Sequence, residues 1–164
     1  MRDENIHIRD ADRDDATLLA GLIRHSFRDV AERFLLTPWN CPKHPSNCTE
    51  NWIEKDFGRG VVYFVLESHH GPVGCAALEK VGENRCYLER LSVLPGERGN
   101  GFGKALVAHA LSRARTLGAA TVGVGIIAED EGLKRWYRRI GFTEGETKKF
   151  DHLPFLVAFM TREL

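Results

Sequence analysis

Arg98-Gly99-Asn100-Gly101-Phe102-Gly103-Lys104 stands between the apolar run Cys86-Tyr87-Leu88-Glu89-Arg90-Leu91-Ser92-Val93-Leu94 and a helical pattern from Ala105 to Leu117. The first run reads as a strand and the second as a helix. A glycine-rich turn from strand into helix gathers several backbone N–H groups around one point, and the helix start adds partial positive charge. Such a turn suits a phosphate or pyrophosphate. Two common phosphate loops do not match. A Walker A loop ending in Gly103-Lys104 needs glycine at position 98 and Ser or Thr at 105, where the chain has Arg98 and Ala105. A dinucleotide fingerprint beginning at Gly99 needs glycine at 104, which is Lys104. What remains is Arg-x-x-Gly-x-Gly behind a strand ending in Leu-x-Val-x-Pro.

Upstream of this turn, Ile6-His7-Ile8-Arg9 alternates as a short strand. Asp14 or Asp15 is expected to cap a helix whose apolar positions Leu18, Leu19, Leu22, Ile23, Phe27 and Val30 recur at helical spacing. The segment 34–48 carries Pro38, Pro42 and Pro45, which exclude a continuous helix. Thr49 is an N-cap for a second helix through Trp52, Ile53 and Phe57, ending near Gly58 and Gly60. Val61 to Leu66, Val73 to Lys80 and Arg85 to Leu94 are joined by short turns and predict an antiparallel meander. Downstream, a helix from Phe102 to Gly118 leads to a strand, Ala120 to Ala128, expected to run parallel to the strand before the turn. A helix from Glu131 to Ile140 and a closing pair of strands, Phe142 to Phe150 and Phe155 to Met160, complete the pattern. The fold class is α/β (α+β): a mixed, mainly antiparallel sheet of six to seven strands with helices on both faces.

The chain has 164 residues, within the ~100–200 expected of one domain, so 1–164 is read as a single domain. Its 23 basic and 23 acidic residues cancel, leaving no electrostatic footprint for nucleic acid or a membrane surface. No apolar run approaches a membrane span, and the charged opening Met1-Arg2-Asp3-Glu4-Asn5 lacks an apolar leader. The expectation is a cytoplasmic protein with its four cysteines reduced.

The turn and its flanking strand resemble the acetyl-CoA-binding motif of the GNAT superfamily of N-acetyltransferases. Trp136-Tyr137-Arg138-Arg139-Ile140-Gly141-Phe142 is similar to that family's Tyr-x-x-x-Gly-Phe helix end, and the two motifs stand in the family's order. The likeness is strong over 61–145 and weak before it. It implies acetyl-CoA as acyl donor and direct transfer of the acetyl group to a primary amine, with no acyl-enzyme. The glycine turn, Arg98, Gly99, Asn100, Gly101, Phe102, Gly103 and Lys104, would hold the pyrophosphate through its backbone. Leu91, Ser92 and Val93 would pair with the pantetheine amides as a sheet edge receives a strand. Tyr137 would be the general acid, since a phenol of pKa near ~10 keeps its proton for a departing thiolate.

The general base stays open. Glu89 is one candidate, and strand alternation places it on the face of Leu91 and Val93. The family's familiar base position lies two residues earlier, where the chain has Tyr87. His152 is the other candidate and lies in the hairpin that borders the family's acceptor pocket. Asp130 stands near the position of a cofactor-touching asparagine in many members; an acidic residue there departs from the family, and helix capping suits it better. Trp39, His44 and Trp52 fall where the family walls its acceptor pocket. Cys41, His44 and Cys48 have spacings that zinc could use, yet they supply three ligands and the family needs no metal, so no metal is assigned. A non-catalytic acyl-CoA sensor switched through that loop, and an acetyltransferase of protein N-termini or lysines, are the alternatives. The resemblance also implies a small-molecule acceptor and allows a homodimer.

Overall fold

The β-branched and aromatic runs become strands and the amphipathic runs become helices largely where their periodicity puts them. A computed structural model describes residues 5–164; the charged opening lies, through Glu4, outside them. In chain order the elements are β1 (His7–Asp10), α1 (Ala16–Arg33), α2 (Glu50–Gly58), β2 (Val62–Ser68), β3 (Gly71–Val81), β4 (Arg85–Val93), α3 (Phe102–Thr116), β5 (Thr121–Ile127), α4 (Glu131–Arg139), β6 (Thr143–Lys149) and β7 (Leu156–Glu163). They form one seven-stranded sheet of order β1-β2-β3-β4-β5-β7-β6. Every neighbouring pair is antiparallel except β4–β5. The last strand is inserted between β5 and β6, a placement that local periodicity does not carry.

Each face of the sheet has its own core. Phe64, Leu66, Ala76, Leu78 and Leu88 meet Leu106, Val107, Ala110 and Leu111 of α3 and Tyr137 of α4. On the other face Tyr63, Val65, Cys75 and Ala77 meet Leu19, Leu22 and Ile23 of α1 and Ile53 of α2. Alternation along β2 and β3 feeds both, because successive side chains point to opposite faces. A third cluster joins Ala31 at the end of α1, Leu36 and Cys41 of the following loop, and Ile127 at the end of β5; Leu153 and Phe155 of the β6–β7 turn pack against it. Among the described residues no helix is long and apolar enough to cross a membrane.

The first helix starts differently from the expectation. Asp15 stands at the N-cap of α1 but makes no side-chain cap there; the capping box belongs to the 3-10 turn Arg13–Asp15 just before it, where the Asp12 carboxylate accepts from the Asp14 N–H and Asp15 accepts from the Asp12 N–H. Asp15 is occupied by a bidentate pair with Arg9, 2.9 Å on each arm. Thr49 caps α2 as read from the sequence, accepting from the Trp52 N–H.

Candidate functional site

β4 and β5 pair over only three residues, Arg85–Thr121, Cys86–Val122 and Tyr87–Gly123. Beyond them β4 continues to Val93 on β3, and β5 continues to Ile127 on β7, with no pairing between the two. The sheet is therefore split into a V from Leu88 and Val124 onward. At its vertex the Tyr87 ring covers Gly123, leaving 3.1 Å to where a Cβ would stand. A bulge accompanies the split: Cys75 faces Ser92 but Ala77 faces Glu89, so β4 holds one extra residue, and Arg90 sits at φ 53°. Bulges bend a strand and end its pairing.

The bulge also overturns the expected alternation. Leu91 and Val93 pack with the α3/α4 core. Glu89 lies opposite Ala77, on the α1/α2 face. With one extra residue inserted, positions 89 and 91 no longer share a side.

The glycine turn stands at the mouth of the V. Gly99 and Gly101 both adopt φ 83°, a left-handed conformation open to glycine at little cost. The helical ladder begins only with the Ala105 N–H, bonded to the Gly101 carbonyl at 3.0 Å. Among the described residues, no acceptor in the protein takes the N–H groups of residues 99–104. Six unpartnered donors at the start of a 15-residue helix make an anion cradle. Gly103 lies against Trp136 of α4, with 3.2 Å from the indole to a hypothetical Cβ, which brings α4 beside the cradle.

Two residues read as cofactor contacts have side chains engaged elsewhere. Arg98 spends its fork on the protein: Nη1 donates to Asp29 Oδ2 at 2.9 Å, Nη2 to the Ser26 carbonyl at 2.6 Å, and Nε to the Val93 carbonyl at 3.2 Å. Its own N–H is taken by Pro95. Asp130 caps α4 by accepting from the Leu133 N–H and pairs with Arg33 at 3.2 Å. Asn100 donates to the Glu97 carbonyl and braces the turn; Lys104 is exposed. Ser92 is buried, and its hydroxyl donates to the Arg90 carbonyl inside the bulge.

On the α1/α2 face, below the bulge, lies a charged network with no local signature in the sequence. Asp56 of α2, buried, accepts from Tyr63 Oη at 2.6 Å, from Arg59 at 2.7 Å and from Arg90. Arg59 extends it to Glu79 at 2.8 Å. Glu89 faces Glu79, and burial, followed by that neighbouring carboxyl, pushes its pKa up to about 7. The Arg90 guanidinium and the Lys43 ammonium each approach the Trp52 ring, at 5.5 and 5.6 Å. Charges drawn partly out of water require partners, and which partners Arg90 and Glu79 find is a matter of tertiary contact.

Tyr137 is buried, its ring set edge-on to Trp136 and Phe142 at 5.0 and 5.1 Å. Burial drives its phenol well above the ordinary value, so the proton is held throughout the physiological range.

The loop residues divide. His44 is buried, caps the short 3-10 turn Pro45–Asn47 through Nδ1, and touches Phe27 edge-on. Burial lowers its pKa to about 4, so it stays neutral and structural. It is not offered to a ligand. Cys41 belongs to the third core cluster and Cys48 to the α1/α2 core. Burial pushes the Cys48 thiol up to about 11. Among the described residues no group of three His, Cys, Asp or Glu side chains is arranged to hold a metal. Trp39 is 90% exposed, and His152 is exposed in the β6–β7 turn near Phe150. A groove of about 500 Å³ lined by Arg28, Glu32, Leu35 and Asn47 includes none of the candidate catalytic or binding residues.

Comparison with known proteins identifies the fold and a family. A family described as the acetyltransferase (GNAT) family matches residues 24–142. An uncharacterized N-acetyltransferase of Methanocaldococcus jannaschii is 30% identical over 104 residues, covering 60% of this chain and 45% of the relative. One from Mycobacterium tuberculosis is 32% identical over 78 residues, 48% of this chain and 50% of the relative. The chain spans about half the length of these curated relatives. Among solved structures, the PaiA N-acetyltransferase of Thermoplasma acidophilum, in complex with coenzyme A, superposes over 98% of this chain and 100% of its own, with TM-score 0.79 and 14% identity. That likeness is one of fold.

Proposed function

Because this chain belongs to the acetyltransferase (GNAT) family, we propose that it moves an acetyl group from acetyl-CoA to a primary amine. The observation that carries the reading is the split between β4 and β5 ending at a turn with six unpartnered N–H groups. A strand edge without a partner can receive an extended amide chain, and the turn can receive the pyrophosphate at its end. In this reading the backbone of Leu91, Ser92 and Val93 pairs with the pantetheine arm, while the amides of Gly99 to Lys104 bind the pyrophosphate.

The chemistry is direct. The amine nitrogen attacks the thioester carbonyl carbon, a tetrahedral intermediate forms, and the carbon–sulfur bond breaks. Glu89 accepts the proton of the incoming ammonium, and Tyr137 donates a proton to the departing thiolate. A carboxyl poised at about 7 exchanges protons readily near neutrality. Tyr137 retains a proton to give. The proposal keeps the acceptor a small-molecule amine and the setting cytoplasmic, in line with zero net charge and four free cysteines.

Calorimetric titration tests the cofactor half. Acetyl-CoA and CoA are expected to bind in the micromolar range and ATP not at all. A folded sample that ignores acetyl-CoA removes the acetyltransferase reading. The base is tested by pH. Glu89 is ionised above about 7, so kcat/KM is expected to rise with pH through that value and level off above it. Glu89→Gln should abolish this acid limb and lower the plateau by about a hundredfold, the modest end of general-base effects. An unchanged limb in the variant passes the role to another group, with His152 next.

A further inference from the structure

Nothing in the sheet itself holds β4 and β5 at a set separation beyond Tyr87 and Gly123, because their shared hydrogen bonds stop there. Helix α1 connects the two diverging sides instead. Toward β4, its Ser26 carbonyl and Asp29 carboxylate receive the guanidinium of Arg98, whose Nε also holds the Val93 carbonyl at the end of β4. Toward β5, Arg33 pairs with Asp130, which follows β5 and caps α4, and Ala31 packs in the cluster that contains Ile127. Residues 26, 29 and 33 recur at three- and four-residue steps and so share one face of the helix. Arg33 also acts on Asp29: the carboxyl is held below its usual range first by Arg98 and further by Arg33. Two ion pairs, Arg98–Asp29 and Arg33–Asp130, therefore leave the same face of α1, one for the turn after β4 and the other for the turn after β5.

We infer that Asp29 and Arg33 are positioning residues for the acyl donor, and that these two ion pairs, joined through α1, strap the splayed strands together and set the width of the gap between them. The inference rests on the reading of the gap as the acyl-CoA groove. Neither residue touches the reacting atoms; both act through the strands they tie. Arg98 then serves the cofactor by its place in the strap and not by giving its guanidinium to a phosphate, since all its nitrogens are engaged within the protein. The strap also passes along α1, whose loop-side end packs with the β6–β7 turn. Donor and acceptor sides of the gap are thus held by one element.

The test separates the arm of the cofactor from its nucleotide end. Asp29→Asn, Arg33→Gln and the double variant are titrated with CoA and with adenosine 3′,5′-bisphosphate, which lacks the pantetheine arm. Each single variant is expected to raise the CoA Kd by about fivefold, the upper range for part-exposed pairs. The double variant should be little worse than either, because one break opens the strap. Adenosine 3′,5′-bisphosphate should bind all of them within about twofold of the parent, since an effect on the gap does not reach it. Asp29→Glu should restore part of the CoA affinity. Unchanged CoA binding, or equal weakening of both ligands, overturns the inference and leaves the acetyltransferase reading intact. A parent protein that binds neither ligand overturns that reading and the inference with it. If Asp29→Asn does not fold, Arg33→Gln supports the same comparison from the exposed end of the strap, its side chain being 54% accessible.

Discussion

Tyr137→Phe is expected to lower kcat by about a hundred- to a thousandfold, the lower part of the usual range for a positioned general acid. The substitution deletes one oxygen and leaves the ring against Trp136 and Phe142. The hydroxyl has no hydrogen-bond partner within the protein among the described residues, so folding stability should hardly change. The KM for acetyl-CoA should stay within about twofold, because the lost interaction belongs to departure of the thiolate and not to binding. Steady-state kinetics with a thermal melt decide it. Full activity in Tyr137→Phe would mean that the thiolate leaves unprotonated or takes its proton from water. A fall in activity that tracks a fall in melting temperature would mean that the tyrosine is a packing residue.

Asp56→Ala is expected to be strongly destabilising, costing about 3 kcal/mol by stranding a buried charge partner. Asp56 accepts from Arg90, Arg59 and Tyr63 at once and is itself buried. Without it Arg90 keeps only Tyr63 Oη, at 2.6 Å, and the face of Trp52, and Tyr63 loses its acceptor. For a chain of this length the melting temperature should fall by roughly 6–12 °C. A second consequence follows from the backbone. Arg90 holds a left-handed conformation, φ 53°, that costs a non-glycine residue about 1–2 kcal/mol, and its pairing with Asp56 offsets that cost. Release of Arg90 should therefore loosen the bulge and misdirect Glu89, lowering kcat/KM as well as stability. Asp10→Asn is the control: the Arg113–Asp10 pair is exposed and should cost less than about 1 kcal/mol. A small effect at Asp56 would show that water replaces the carboxylate and that the network is peripheral.

These expectations draw on different layers of information. The order of strands and helices was legible in the chain because each element is an amphipathic run bounded by a turn residue, and amphipathicity is a local property. Thr49 as a cap and the glycine turn are of the same kind. So is Tyr137 at the end of a helix before Gly141-Phe142. The placement of β7 between β5 and β6 was not legible. Sequential strands usually neighbour one another, and only packing across the sheet overrules that habit.

The alternation read from Glu89 through Val93 failed for a specific reason. Period two holds only while pairing is regular, and one inserted residue at Arg90 reverses every side chain that follows. The insertion has no local signature in Leu88-Glu89-Arg90-Leu91; Arg90, inside it, meets Asp56 and Tyr63, 34 and 27 residues away. Arg98 and Asp130 show the same limit. Both stand where their motif places them, yet their side chains turn to Asp29 and Arg33 on α1, contacts made across 69 and 97 residues. His44 was read as a pocket residue from its loop, and burial against Phe27 made it a neutral cap. The chain by itself determined the elements, the glycine cradle and the family they belong to, because these depend on residue type and short spacing. The tertiary structure alone decided how wide the sheet splits, which carboxylate is poised near neutrality and which charges are committed, because each depends on desolvation and on partners brought together only by folding.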